Sequence, residues 1–236
     1  SGRSKDPTNL EVGDAMEQKK LFKHSSKDHQ WRETLDSYGM QLSIYFDEIE
    51  KATECYEMLK DVEMGLMKAS VVHHVRLFCF SLICIENFRT TKLRRFKSEA
   101  KKHMDALRDL VENGAINVTH KLQLVKAEFL SLSTMDDVLP KYEMAIKSAS
   151  RAGFLHDGAL YNYLCAKFCL RNDSLQDSAD NYLVQSCELY ESWGAMAVAS
   201  SIRSRHPDVF VGVLSMSHKR ASTGHRSRSH FRGSIT

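Results

Sequence analysis

Apolar residues recur in steps of three and four along most of the chain between Trp31 and Pro207, the spacing of one helix face. The first such run is Trp31, Leu35, Tyr38, Leu42, Tyr45, Ile49, Ala52, Tyr56 and Leu59. It predicts one long helix, or two helices broken near Phe46-Asp47, packed on neighbours. A coiled coil is the competing reading, and the aromatic-rich seam argues against it. Val71 to Phe88 is apolar on most faces, which predicts a central helix covered on several sides. It is too long for the buried strand that its Val, Phe and Ile residues would otherwise suit. Leu93 to Val111 is strongly charged, with Phe96, Ala100, Met104 and Leu107 as its apolar stripe, and Asn113-Gly114 should stop it.

Beyond Gly114 the pattern repeats. Helices are predicted over His120–Leu132, Asp136–Arg151, His156–Arg171 and Leu175–Ser192. A capping helix over Ala195–Arg205 should end at Pro207. Ala127-Glu128-Phe129 answers Ala166-Lys167-Phe168, Tyr142 answers Tyr182, and Gly153 answers Gly194, at offsets of 39, 40 and 41 residues. A period near 40 is that of helical hairpins stacked so that each buries its apolar face on the next. Tyr142, Ala145, Ala149, Ala166, Phe168, Tyr182, Tyr190 and Trp193 are the expected core positions. Gly153 and Gly194 are the expected left-handed turns. The fold class predicted is all-α, a tetratricopeptide-like helical-hairpin solenoid over residues 29–208.

The ends read differently. Residues 1–28 are polar and are expected to be a mostly disordered linker with at most a short helix at Val12 to Phe22. Residues 209–236 form a basic, Ser-rich tail carrying Lys219, Arg220, Arg226, Arg228 and Arg232. Such a composition buries too little apolar surface to offset chain entropy, so disorder is expected there too. The formal net charge of +3 is too small to demand a polyanionic partner. Ser1 to Leu10 lacks the apolar core of a secretory signal, and the longest apolar run, Leu77 to Ile85, is about half of the ~20 residues of a membrane-spanning helix. A start on Ser rather than Met fits a segment of a larger protein. A cytoplasmic location and no transmembrane segment are the resulting expectations. The six cysteines lie within apolar helical pattern and form no CxxC pair, so buried reduced thiols are expected.

Little in the sequence points to catalysis. No Gly-Lys dipeptide is available for a phosphate-cradling loop, and His-Arg-Asp, Asp-Phe-Gly and HExxH are absent. His73-His74 are adjacent, about 100° apart on a helix, and cannot chelate one metal as an i, i+4 pair would. His156-Asp157 sits where a helix begins, and capping is the expected role. Glu48, Glu50, Glu54 and Glu57 are expected to be a solvated face. Arg94, Arg95, Lys97, Lys101 and Lys102 make a basic stripe, but Glu99, Asp105 and Asp109 interleave with it, so salt bridges rather than nucleic acid are expected to engage it. Lys219-Arg220-Ala221-Ser222 has the form of a basophilic kinase site, making Ser222 a candidate for phosphorylation. No cofactor or metal is expected, and no catalytic residue is assigned.

The stretch Gly153-Phe154-Leu155-His156, Ala159-Leu160, Ala166-Lys167-Phe168, Tyr182-Leu183, Tyr190, Trp193-Gly194-Ala195 and His206-Pro207, with His120-Lys121 and Val125-Lys126-Ala127-Glu128 upstream, resembles a known family. It is similar to the tetratricopeptide-like helical region of large multidomain signalling proteins of microbes and microalgae. In those proteins a serine/threonine-kinase-like domain and an AAA-type signal-transduction ATPase precede the helical region, and GAF and histidine-kinase or cyclase modules follow. The resemblance implies a non-catalytic protein-interaction and signal-relay module. Its partners would be a protein or peptide in a helical groove, or neighbouring ATPase and kinase modules. A small-molecule-sensing helical domain, and an adaptor whose basic tail contacts nucleic acid or membrane, are the alternatives.

Overall fold

The computed structural model describes residues 29–62 and 71–210. The described residues are all-helical, with no strand among them. The order is α1 (His29–Tyr45), α2 (Ile49–Leu59), α3 (Val71–Thr91), α4 (Arg94–Glu112), α5 (Thr119–Leu130), α6 (Val138–Arg151), α7 (Leu155–Leu170), α8 (Gln176–Ser192) and α9 (Met196–Arg205). Each helix packs on the next in the chain, α2 on α3 included, although the residues 63–70 between those two are not described. α3 also packs on α1 and α5. The predicted linker, the basic tail beyond Phe210 and Ser222 lie outside the described residues, as does the side chain of Trp31; Val209 and Phe210, expected to be disordered, are helical and pack against the core.

The sequence patterns give these elements directly. In α4, Phe96, Ala100, His103, Met104 and Leu107 are buried, one stripe at steps of three and four. α6 buries Val138, Tyr142, Ala145 and Ala149 on the same rule. The alanines leave room for the rings opposite: Tyr142 stacks obliquely on Phe168 of α7 at 5.3 Å between ring centres. Both rings are fully buried, each contributing on the order of 2 kcal/mol from the apolar surface it removes from water. α3 buries every residue from Arg76 to Ile85, as befits a helix with neighbours on several sides. It is long and apolar enough to cross a bilayer by composition alone, which the nine-residue run Leu77 to Ile85 did not suggest, but half of its most apolar window lies inside this fold.

Three helix ends share one backbone device. After α4, α6 and α8, Gly114, Gly153 and Gly194 adopt φ of +97°, +77° and +89°. In each, the glycine N–H reaches back three residues and the next N–H reaches back five, to Val111 and Leu110, to Ser150 and Ala149, and to Glu191 and Tyr190. This is the Schellman arrangement, which satisfies the last helical carbonyls and turns the chain sharply into the next helix. α1 ends in the same way, with Asp47 at φ +57° in the glycine's place. The break near Phe46-Asp47 is therefore real, and two helices replace the single long one.

Two expectations need correction. Trp193 is not core: it is 47% exposed at the α8–α9 turn, with its indole set edge-on to Tyr45 and tilted against His156. Its position as the last residue before the turn glycine lifts it out of the α8 stripe, which ends at Tyr190. Tyr182 is half-buried, its hydroxyl donating to Glu143 at 3.1 Å. Tyr142, Ala145, Ala149, Ala166, Phe168 and Tyr190 are fully buried. The second correction concerns His156-Asp157. Neither His156 nor Asp157 is the capping residue, since both lie inside α7 and the residue before it, Phe154, makes no side-chain cap; the role of Asp157 is described below.

Candidate functional site

A chain of alternating charges crosses the fold, and three of its six members occupy one repeated position. Arg89 in α3, Glu128 in α5 and Lys167 in α7 are spaced 39 residues apart (128 − 89 = 39 and 167 − 128 = 39). Arg89 donates to the Glu128 carboxylate, to its backbone carbonyl at 3.2 Å, and to the Ser131 hydroxyl at 2.6 Å. One turn before Arg89, Glu86 accepts from it at 2.7 Å and stands 3.6 Å from Lys167. Burial alone would raise the Glu86 carboxyl, but Lys167 and Arg89 together outweigh it and hold it below its ordinary value. Glu128 is itself buried, so Arg89 compensates a charge that could not stand alone there.

The chain continues to the α1–α2 corner and to α9. Lys167 Nζ donates to Asp47 Oδ1 at 2.7 Å, and the Tyr163 hydroxyl donates to Asp47 Oδ2 at 2.9 Å. Arg205 at the end of α9 lies 3.1 Å from the same Oδ2 and also donates to the Tyr163 hydroxyl at 2.8 Å. Burial, with Asp47 adding to it, raises the Tyr163 hydroxyl, which therefore stays protonated and able to donate. The sequence Arg205, Asp47, Lys167, Glu86, Arg89, Glu128 is thus a ladder of alternating sign spanning α9, the α1–α2 corner, α7, α3 and α5. A narrow cleft of about 30 Å³ opens beside it, lined by the ladder from Asp47 to Glu128 and by Ile44, Ile49, Leu82, Ile83 and Leu164. A second surface pocket, between α2 and α4, has about 150 Å³. Both fall well short of the several hundred Å³ of small-molecule sites.

A second polar cluster is fully buried. Asp157 at the start of α7 accepts from His120 Nε2 at 2.8 Å and from Lys121, both on α5. Lys121 also lies over the Phe78 ring at 5.1 Å, and His120 stacks on Phe154 at 4.6 Å. Burial would raise the Asp157 carboxyl, but the His120 hydrogen bond and the Lys121 charge outweigh it and bring it to about 2. This site is a bolt between hairpins rather than an open reactive centre.

Part of the basic stripe of α4 is ion-paired as its spacing predicts, Lys101 with Asp105 at 2.7 Å and Lys102 with Glu99 at 3.6 Å, while Arg95 and Lys97 lie over the Phe96 and Phe88 rings. Glu50, Glu54 and Glu57 are exposed and Glu48 is half-buried, with Lys51 and Lys60 alongside Glu48 and Glu57. Cys79, Cys84, Cys165, Cys169 and Cys187 are buried and Cys55 is half-buried, all as free thiols. Among the described residues no three or more His, Cys, Asp and Glu side chains are placed to hold a metal ion.

Sequence reasoning passed over most of the ladder. Its signal was the middle residue of the Ala127-Glu128-Phe129 and Ala166-Lys167-Phe168 triplets, which the repeat aligns and which Arg89 precedes by one more period. Asp47, Tyr163 and Arg205 follow no such period and are brought in by tertiary packing alone. Comparison with known proteins gives no match to a family model, to a curated protein or to a solved structure.

Proposed function

We propose that this chain is a non-catalytic protein-interaction and signal-relay module, built as a tetratricopeptide-like stack of helical hairpins. Its setting would be the helical region of a large signalling protein with kinase-like and AAA-ATPase modules. The carrying observation is the ladder from Arg205 to Glu128, which couples the last helix to the first hairpin and to the middle of the stack. Equivalent positions 39 residues apart lie side by side on α3 and α5, as they do where hairpins stack in register. Each rung is an ion pair with a partly buried partner, so moving one charge unbalances the next. A neighbouring module that shifts α9 would thereby be felt in α5. The cleft beside the ladder, small and lined by both apolar and charged side chains, suits a peptide or a domain surface better than a small molecule.

The test is hydrogen exchange on Arg205→Gln. A relay predicts faster exchange in α3 and α5 around Arg89 and Glu128, besides the local change in α9. Exchange altered only in α9 and at the Asp47 corner would reject it. Reading the coding sequence on both sides of this segment then decides whether an ATPase module adjoins it.

A further inference from the structure

We infer that Tyr163, Lys167 and Arg205 form a carboxylate receptor for an acidic side chain of a protein partner, occupied here in cis by Asp47. Two donors and a further cation from two helices converge on one carboxylate: the Tyr163 hydroxyl donates at 2.9 Å, Lys167 Nζ donates at 2.7 Å, and Arg205 Nη1 forms an ion pair with it at 3.1 Å. Arg205 is held in place by its bond to the Tyr163 hydroxyl and by its guanidinium over the Tyr163 ring at 5.2 Å. The receptor is therefore organised by α7 and α9 themselves, and Asp47 is its guest from a distant part of the chain.

The guest sits at some conformational cost. Asp47 occupies the left-handed turn position that Gly114, Gly153 and Gly194 fill at the ends of α4, α6 and α8. Glycine would make that turn with less strain, so the aspartate contributes its carboxylate rather than its backbone. Three of the four side chains remain reachable, Asp47 at 28% exposed, Lys167 at 20% and Arg205 at 31%, while Tyr163 is buried. A partner's Asp or Glu reaching the Asp47 corner would meet the same groups and displace Asp47, which frees the α1–α2 corner. This rests on reading the ladder's face as an interaction surface, but not on signal transmission along it.

The experiment compares wild type with Asp47→Gly, which keeps the turn and empties the receptor, and with Asp47→Asn, which keeps the side chain's shape without its charge. The probe is a blocked hexaglutamate peptide, followed by NMR of the Arg205 guanidinium and by calorimetry, with acetate and inorganic phosphate as separate arms. The expected result is at least tenfold tighter peptide binding to both variants than to wild type. That gain should be abolished when Lys167→Met and Arg205→Gln are added and reduced severalfold by Tyr163→Phe. Acetate should perturb the Arg205 signal of Asp47→Gly and leave that of wild type unmoved. Equal affinity for wild type and Asp47→Gly, or a gain that survives loss of Lys167 and Arg205, overturns the receptor. A preference for phosphate over acetate and peptide overturns the assignment to acidic side chains. A negative exchange result with Arg205→Gln would remove the relay and leave these outcomes as they stand.

Discussion

His120 Nε2 donates to Asp157 Oδ2 across 2.8 Å, joining α5 to α7 through the interior of the protein. A carboxylate only accepts, so the shared proton belongs to the imidazole, and Lys121 completes the pairing from the adjacent position. Removing one member of a buried charge pair leaves the other uncompensated. Asp157→Ala is expected to lower the unfolding free energy by about 3–5 kcal/mol in a urea titration. Replacing Lys121 by Met in the same chain should recover part of that loss. A loss equal to the sum of the two single variants would mean that the pair is not coupled.

The same carboxylate sets an acid limb. Its folded value, about 2, lies below the ordinary 3.8 of the unfolded chain, so the stabilisation is complete above pH 4 and is lost as pH falls from about 4 to about 2. The loss should amount to about 2 kcal/mol, read as a fall in Tm across that window. Asp157→Ala should flatten this limb; an unchanged slope would place the acid sensitivity elsewhere.

His103 in α4 supplies a second limb nearer neutrality. It is buried between the Tyr56 and Phe80 rings, its Nε2 has no hydrogen-bond partner, and Glu99 stands 3.7 Å away. Burial lowers its value to about 4, with Glu99 and Lys102 acting in opposite directions. The unfolded chain therefore takes up a proton first, and stability falls as pH drops from about 6.5 to about 4. His103→Phe fits the aromatic site and should remove that fall, so the variant gains on wild type at pH 5 and not at pH 8. Parallel Tm profiles over pH 5–8 would count against the neutral, buried imidazole.

Gly194 tests the turns. A Cβ built there meets nothing within 4 Å, so the cost of a side chain is conformational rather than steric crowding. Gly194→Ala should cost about 1–2 kcal/mol and the β-branched Gly194→Val more, because an L side chain disfavours φ near +89°. Gly153→Ala should behave alike. Unchanged thermal stability of Gly194→Val would mean that the α8–α9 turn is not held as described.

The sequence alone was enough to place the helices, because their signal is local. The period of 3.6 in α4 and α6 and the glycines at 114, 153 and 194 depend only on residues within one or two turns. The helix ends still shifted by up to three residues, the third helix running to Thr91 rather than Phe88. α6 starts at Val138 rather than Asp136, since Asp137 takes a left-handed conformation before it. Trp193 was misplaced because a period says which face a residue shares, not whether the helix still has a neighbour at its last turn.

The all-helical class, the helix boundaries to within a turn and the 39-residue recurrence that aligns Glu128 with Lys167 could be read from the chain alone. The addition of Arg89 to that series, the partnership of the series with Asp47, Tyr163 and Arg205, and the burial of Asp157 against His120 and Lys121 came from packing. The difference is one of range. Helix formation is written in side chains four residues apart, whereas the Tyr163–Asp47 bond joins residues 116 apart and the Lys167–Asp47 pair 120 apart. A charge carries no mark in the sequence of the opposite charge that folding will bring to it.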